Sequence, residues 1–111
     1  MTGNEYQKLA MRTLNPDLDK KDVLLNGVMG LCGESGEVID IVKKWYAQGH
    51  ELDKEHIKKE LGDVAWYLAE IAEAIDVSLD DVFEINIEKL KKRYPEGFDA
   101  EKSMNRIKGD I

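Results

Sequence analysis

The only two prolines of this chain, Pro16 and Pro95, stand near its ends, so nothing between them forbids long helices. Apolar residues recur through that stretch at three- and four-residue spacing, the period of a helix with a buried face. A first helix is predicted from about Asn4 to Thr13, ending before the turn signal Asn15-Pro16-Asp17. A second is predicted from about Lys21 to Gln48, with Gly49 fitting the position just past its end. Asp53 is expected to cap a third helix that runs to about Asp76, with Ile57, Leu61, Val64, Leu68, Ile71 and Ile75 as its core stripe. A fourth ends at Tyr94-Pro95 and turns Val82, Ile85 and Leu90 to the core. Short connections make long helices antiparallel neighbours, and no strand pattern or internal repeat is present. The expected fold is all-α, an antiparallel bundle of about four helices over residues 1–95, followed by a partly extended tail over 96–111.

At 111 residues the chain is one domain, small enough that partner subunits complete its core. With 42% hydrophobic and 35% charged residues it is globular. A net charge of −7 argues against a nucleic-acid polymer as partner, since such surfaces are basic. It leaves a nucleotide substrate open, because a bound metal inverts the local field. No stretch approaches the roughly 20 apolar residues of a membrane span. The start, Met1 to Tyr6, lacks the basic-then-apolar pattern of a signal peptide. The single cysteine, Cys32, excludes an internal disulfide and is expected to be a small buried hydrophobe; a cytoplasmic setting follows.

Two carboxylate pairs stand out: Glu34-Ser-Gly-Glu37 and Glu60-Leu-Gly-Asp63. A three-residue separation puts both members of a pair on one helix face. Folded back on each other, the second and third helices would bring four carboxylates together. Two carboxylates about 5 Å apart repel by roughly 3 kcal/mol at an effective dielectric of 20. Four cannot stay ionised and buried without protonation, water or a cation. With no His or Cys among the acids, the donor set suits Mg²⁺, with Mn²⁺ as a substitute, over Zn²⁺. Gly33, Gly36 and Gly62 beside the acids, and Gly27 and Gly30 before them, suggest close approach of a backbone or a hydrated ion. The competing account makes the acids a solvated face, paired with Lys43, Lys44, Lys58 and Lys59. Glu70-Ile-Ala-Glu73 has the same spacing and is assigned no function. A di-iron bundle would want Glu-x-x-His pairs, which do not occur.

Lys44 lies seven residues after Glu37, and Asn86, Lys89 and Arg93 share one side of the fourth helix. These residues could hold phosphate oxygens or form an ordinary solvated surface. Trp45 and Tyr67, at helical spacing from the acids, could stack on a base or pack in the core. Trp66 reads as core, and His50 and His56 as surface residues at helix ends.

In order along the chain, the strings Gly-Leu-Cys-Gly-Glu-Ser-Gly-Glu-Val (30–38), Lys-Lys-Trp (43–45), Glu-Leu-Gly-Asp-Val-Ala-Trp-Tyr-Leu (60–68), Asn-Ile-Glu-Lys-Leu (86–90) and Arg-Tyr-Pro-Glu-Gly-Phe (93–98) resemble the MazG-like nucleoside triphosphate pyrophosphohydrolases. These belong to an all-α superfamily marked by Glu-x-x-Glu and a later Glu-x-x-Asp, and the resemblance covers roughly residues 5 to 105. It implies cleavage of a nucleoside triphosphate between the α- and β-phosphates, as part of clearing the nucleotide pool. It implies metal ligands at Glu34, Glu37, Glu60 and Asp63, with Glu34 as catalytic base and Glu37 as the alternative. Lys44, Asn86, Lys89 and Arg93 then correspond to phosphate or sugar contacts, and Tyr67 to an aromatic near the nucleotide, with Trp45 as a further stacking candidate. It also implies a homodimer or homotetramer. The alternative is a non-catalytic helical module that binds partner helices and keeps the acids for solubility.

Overall fold

The computed structural model describes all of residues 1–111. It is helical throughout: α1 (Gly3–Ala10) extended by a 3-10 turn (Met11–Thr13), α2 (Lys20–Gln48), α3 (Lys54–Ala74), α4 (Leu79–Arg93) and α5 (Ala100–Met104). The first four follow the apolar periodicity closely. The fifth does not, because five residues are too few to show a period; the Asp99 carboxylate starts it by accepting from the Glu101 and Lys102 N–H groups. No helix is long and apolar enough to cross a membrane.

Caps set the long helices. The Asp19 side chain accepts from the Asp22 N–H at 2.9 Å and opens α2. Gly49 closes it with φ +71°, a left-handed conformation that glycine adopts without steric cost. Asp53 opens α3 by accepting from the His56 N–H at 3.0 Å. The short link 49–53 returns α3 along α2, and this helical hairpin is the main packing of the fold.

The chain divides into two compact units, Met1–Leu79 and Asp80–Ile111. The first has a small core of Ala10, Ala69, Ala72 and Leu79, with Tyr6, Met11, Trp66 and Val77 packed against it. Trp66 belongs to this packing, as its bulk suggests, and its Nε1–H reaches the Thr13 hydroxyl at 2.8 Å. Gln7 ties the unit together: its side-chain oxygen accepts the Leu79 N–H at 2.7 Å, and its amide donates to the Val77 carbonyl at 3.1 Å. Glu70, on α3, is fully buried against α2, and its two carboxylate oxygens accept from the Asn26 amide nitrogen at 2.8 and 3.0 Å.

Much of the expected core is not covered by this chain. On α3, Leu61, Leu68 and Ile75 are exposed; on α4, so are Val82, Ile85 and Leu90. Cys32 is exposed too, contrary to expectation. The reason is geometric. Helix α2 is apolar on more than one side, and α3 covers only one of them. Leu25, Cys32, Ile39 and Tyr46, each seven residues from the next, form an open row along the other side.

Candidate metal centre

The acids project from the middle of α2 and the first half of α3. Carboxylate oxygens of Glu34, Glu60 and Asp63 lie within 4.8 Å of one another. Glu37 is not part of this tight group, although its charge acts on Glu34. The hairpin thus brings together three of the four acids picked out by spacing.

Electrostatics within the cluster are unbalanced. The Glu34 carboxyl is held above the usual carboxylate range, first by a hydrogen bond with Glu60, then by burial, then by the charges of Glu60, Asp63 and Glu37. A hydrogen bond between two carboxyls needs a proton on one of them. With both ionised, Glu60 Oε2 is buried and has no partner. No lysine or arginine lies within 4.0 Å of any of the four acids. Lys44, a candidate to neutralise them, pairs with Asp40 at 3.3 Å instead. The one basic side chain in reach is His56, whose Nε2 is 3.2 Å from Glu60 Oε1.

This donor set fits a hard divalent cation. The ligands are all oxygen, one is buried without a donor, and the cluster holds excess negative charge. The 4.8 Å spread is close to the roughly 4.2 Å between opposite oxygens of an octahedral Mg²⁺ shell.

The glycines divide into two kinds. A Cβ on Gly27 would meet Ile71 Cγ1 at 2.8 Å, and one on Gly30 would lie 2.1 to 2.4 Å from the Tyr67 ring. Both are therefore close approaches between α2 and α3. Gly33, Gly36 and Gly62 have nothing within 4 Å, so the chain leaves the space beside the acids open.

Tyr67 is half-buried over Gly30, one turn before Glu34, with its ring edge-on to Trp66 at 5.1 Å. Trp45 is exposed beside Tyr46, their centroids 6.4 Å apart, and is not a core residue of this chain. Asn86 is exposed on α4 in the second unit. Lys89 and Arg93, on the same helix, engage residues 110 and 111.

Two site neighbours escaped the sequence reading. His56 stands four residues before Glu60, a spacing that could have revealed it. Tyr6, whose hydroxyl donates to the Gly62 carbonyl at 3.5 Å, is held above the ordinary phenol range by burial and then by the Asp63 charge. It comes from α1, and no local pattern points to it.

The MazG nucleotide pyrophosphohydrolase domain matches residues 24–98, a span that contains all four acids and the whole of α4. The chain belongs to the MazG family. Among curated proteins, the gene 37 protein of Mycobacterium phage L5 is similar to it, 36% identical over 85 residues that cover 73% of this chain and 75% of the phage protein. No solved structure matches. Family membership identifies a nucleotide pyrophosphohydrolase domain and a nucleotide as the substrate of this MazG chain.

Proposed function

We propose that this MazG domain hydrolyses nucleoside triphosphates between the α- and β-phosphates, releasing a nucleoside monophosphate and pyrophosphate, with Mg²⁺ as cofactor and Mn²⁺ able to replace it. One observation carries the reading: Glu60 Oε2 is buried without a partner inside a group of three carboxylates that no lysine or arginine neutralises. Such a group is costly unless a cation completes it.

Glu34, Glu60 and Asp63 would hold the ion, with Glu37 one turn along α2 as a further ligand. When bound, the metal supplies charge neutralisation on the triphosphate and Lewis acidity at the scissile phosphate. The chain's own residues do the rest. Glu34 takes the proton from the attacking water. The water oxygen bonds to the α-phosphorus, the α–β bridging bond breaks, and pyrophosphate leaves. Lys44, Asn86, Lys89 and Arg93 bind phosphate or sugar oxygens. Tyr67 and Trp45 offer aromatic faces to the base.

The same proposal includes a homodimer or homotetramer, supported by the open apolar row on α2, and a cytoplasmic role in clearing the nucleotide pool. The test is a panel of nucleoside triphosphates, with Mg²⁺ and with chelator, scoring pyrophosphate against orthophosphate. Metal-dependent pyrophosphate is expected. Orthophosphate as the sole inorganic product overturns the cleavage site. Absence of both turnover and divalent-ion binding would favour a non-catalytic helical module.

A further inference from the structure

Lys89 and Arg93 are one turn apart on α4, and both are occupied. Arg93 Nε and Nη2 donate to Oδ2 and Oδ1 of Asp110, each at 2.7 Å. Lys89 Nζ donates to the Ile111 carbonyl oxygen at 2.6 Å. The fork-to-carboxylate pair is also the geometry by which a guanidinium grips a phosphate. Consecutive residues of the chain thus fill two cationic seats that suit successive phosphate oxygens.

The surroundings repeat the preference for anions. A cavity of about 940 Å³ lies between α4 and residues 102–111. Lys89, Lys92, Arg93, Lys102, Arg106 and Lys108 line it, against three carboxylates, in a chain whose net charge is −7. Asp110 is the anion that this unit supplies to Arg93, with Arg106 and Lys89 acting on it as well.

What holds residues 109–111 down is charge and little else. Ile107 and Ile111 are 73% and 93% exposed, so no apolar side chain anchors the segment. Gly109, at φ +92°, turns the chain so that Asp110 and Ile111 reach back to α4. A strap held by ionic contacts is released by a competing anion, whereas one held by apolar burial is not.

We propose that residues 109–111 are an internal anion that occupies the phosphate seats on Lys89 and Arg93, and that a polyphosphate must displace it to bind. The inference rests on the reading of Lys89 and Arg93 as phosphate contacts. Its consequence is quantitative: a strap closed nine-tenths of the time weakens apparent affinity about tenfold.

The experiment is calorimetric titration of inorganic tripolyphosphate into the full chain and into Asp110→Asn, both in chelator, so that neither metal nor turnover is needed. Asp110→Asn is expected to bind about tenfold tighter than the parent, the gain set by release of the strap. In the parent, the Arg93 Nε–Hε resonance moves on saturation, as Asp110 is exchanged for phosphate. Equal affinity in the two proteins, or weaker binding by Asp110→Asn, overturns the strap. Tighter binding by the variant, alongside a nucleotide panel that yields no pyrophosphate, would preserve the strap and remove the hydrolase reading. Pyrophosphate release with unchanged tripolyphosphate affinity would do the reverse.

Discussion

His56 Nε2 lies 3.2 Å from Glu60 Oε1, one turn back along α3. The other Glu60 oxygen is the buried one without a partner. His56 therefore engages one oxygen of Glu60 and leaves the second for the cluster. Groups that orient a metal ligand in this way typically change affinity by about 10- to 100-fold. Because the His56 side chain is 53% exposed, the low end applies. His56→Ala should weaken Mg²⁺ binding by up to about tenfold, with its helical circular dichroism unchanged. Unaltered affinity by titration calorimetry would show that the contact is incidental.

Glu60→Gln should separate stability from metal binding. Replacing one carboxylate oxygen with an NH₂ group gives the cluster a donor and removes a charge. The apo variant is expected to melt no lower than the parent. The parent should gain about 2.7 kcal/mol at an Mg²⁺ concentration 100 times its dissociation constant. Glu60→Gln should gain almost nothing. Scanning fluorimetry across an Mg²⁺ series checks both; an unchanged Mg²⁺-dependent shift in the variant would remove Glu60 from the site.

Gly30 and Gly33 sit three residues apart on α2 and should respond in opposite ways. Alanine at Gly30 drives a methyl group into the Tyr67 ring, an overpacking that typically costs about 1–3 kcal/mol. Alanine at Gly33 meets nothing in the chain, so its helix propensity should add about 1 kcal/mol. Urea melts should order the three proteins Gly33→Ala, parent, Gly30→Ala. A Gly33→Ala protein that is more stable yet less active would place substrate or a neighbouring subunit in the space beside Glu34.

These glycines also show what the sequence could reveal. Helix order and bounds were legible because periodicity, Asp53 and Gly49 are local signals acting within one or two turns. The acidic pairs were legible for the same reason. Which sides of α2 and α3 are covered depends on partners that spacing does not name, so the expected burial of Cys32 on α2 and Leu61 on α3 is not found within this chain. Gly30 and Gly33 look alike in sequence; only the position of Tyr67 distinguishes them. The occupants of Lys89 and Arg93 come from about 17 to 22 residues away through a glycine turn, beyond the reach of any helical pattern.

The open row Leu25, Cys32, Ile39 and Tyr46 should govern assembly. Ile39 is 68% exposed, and a charge there disturbs nothing inside the chain. In a dimer or tetramer that buries this row, Ile39→Glu leaves an unpaired charge at an apolar contact. Sedimentation should show the parent as an oligomer and Ile39→Glu shifted to monomer at micromolar concentration, with Glu34, Glu60 and Asp63 unaltered. Identical sedimentation of the two would mean that this row is not the interface.

Asp110 gives the second unit a signed dependence on pH. Its carboxyl is held below the usual range, first by the hydrogen bond with Arg93 and then by the charges of Arg93, Arg106 and Lys89. A carboxyl depressed in the folded state contributes stability above its unfolded value, and that contribution is lost as pH falls through the folded value. The attachment of residues 109–111 should therefore be constant from pH 8 to about 5, begin to weaken only below the ordinary aspartate range of about 4, and fail as pH falls through the depressed folded value. The Asp110 N–H donates to the Ile107 carbonyl at 3.0 Å within the turn that brings Asp110 back to α4, so amide exchange at that position follows that turn. Once corrected for intrinsic exchange, protection should fall with acid in the parent. In Asp110→Asn it should be low throughout and should not change across the same window. An acid-dependent loss of equal size in the variant would assign the effect to some group other than Asp110.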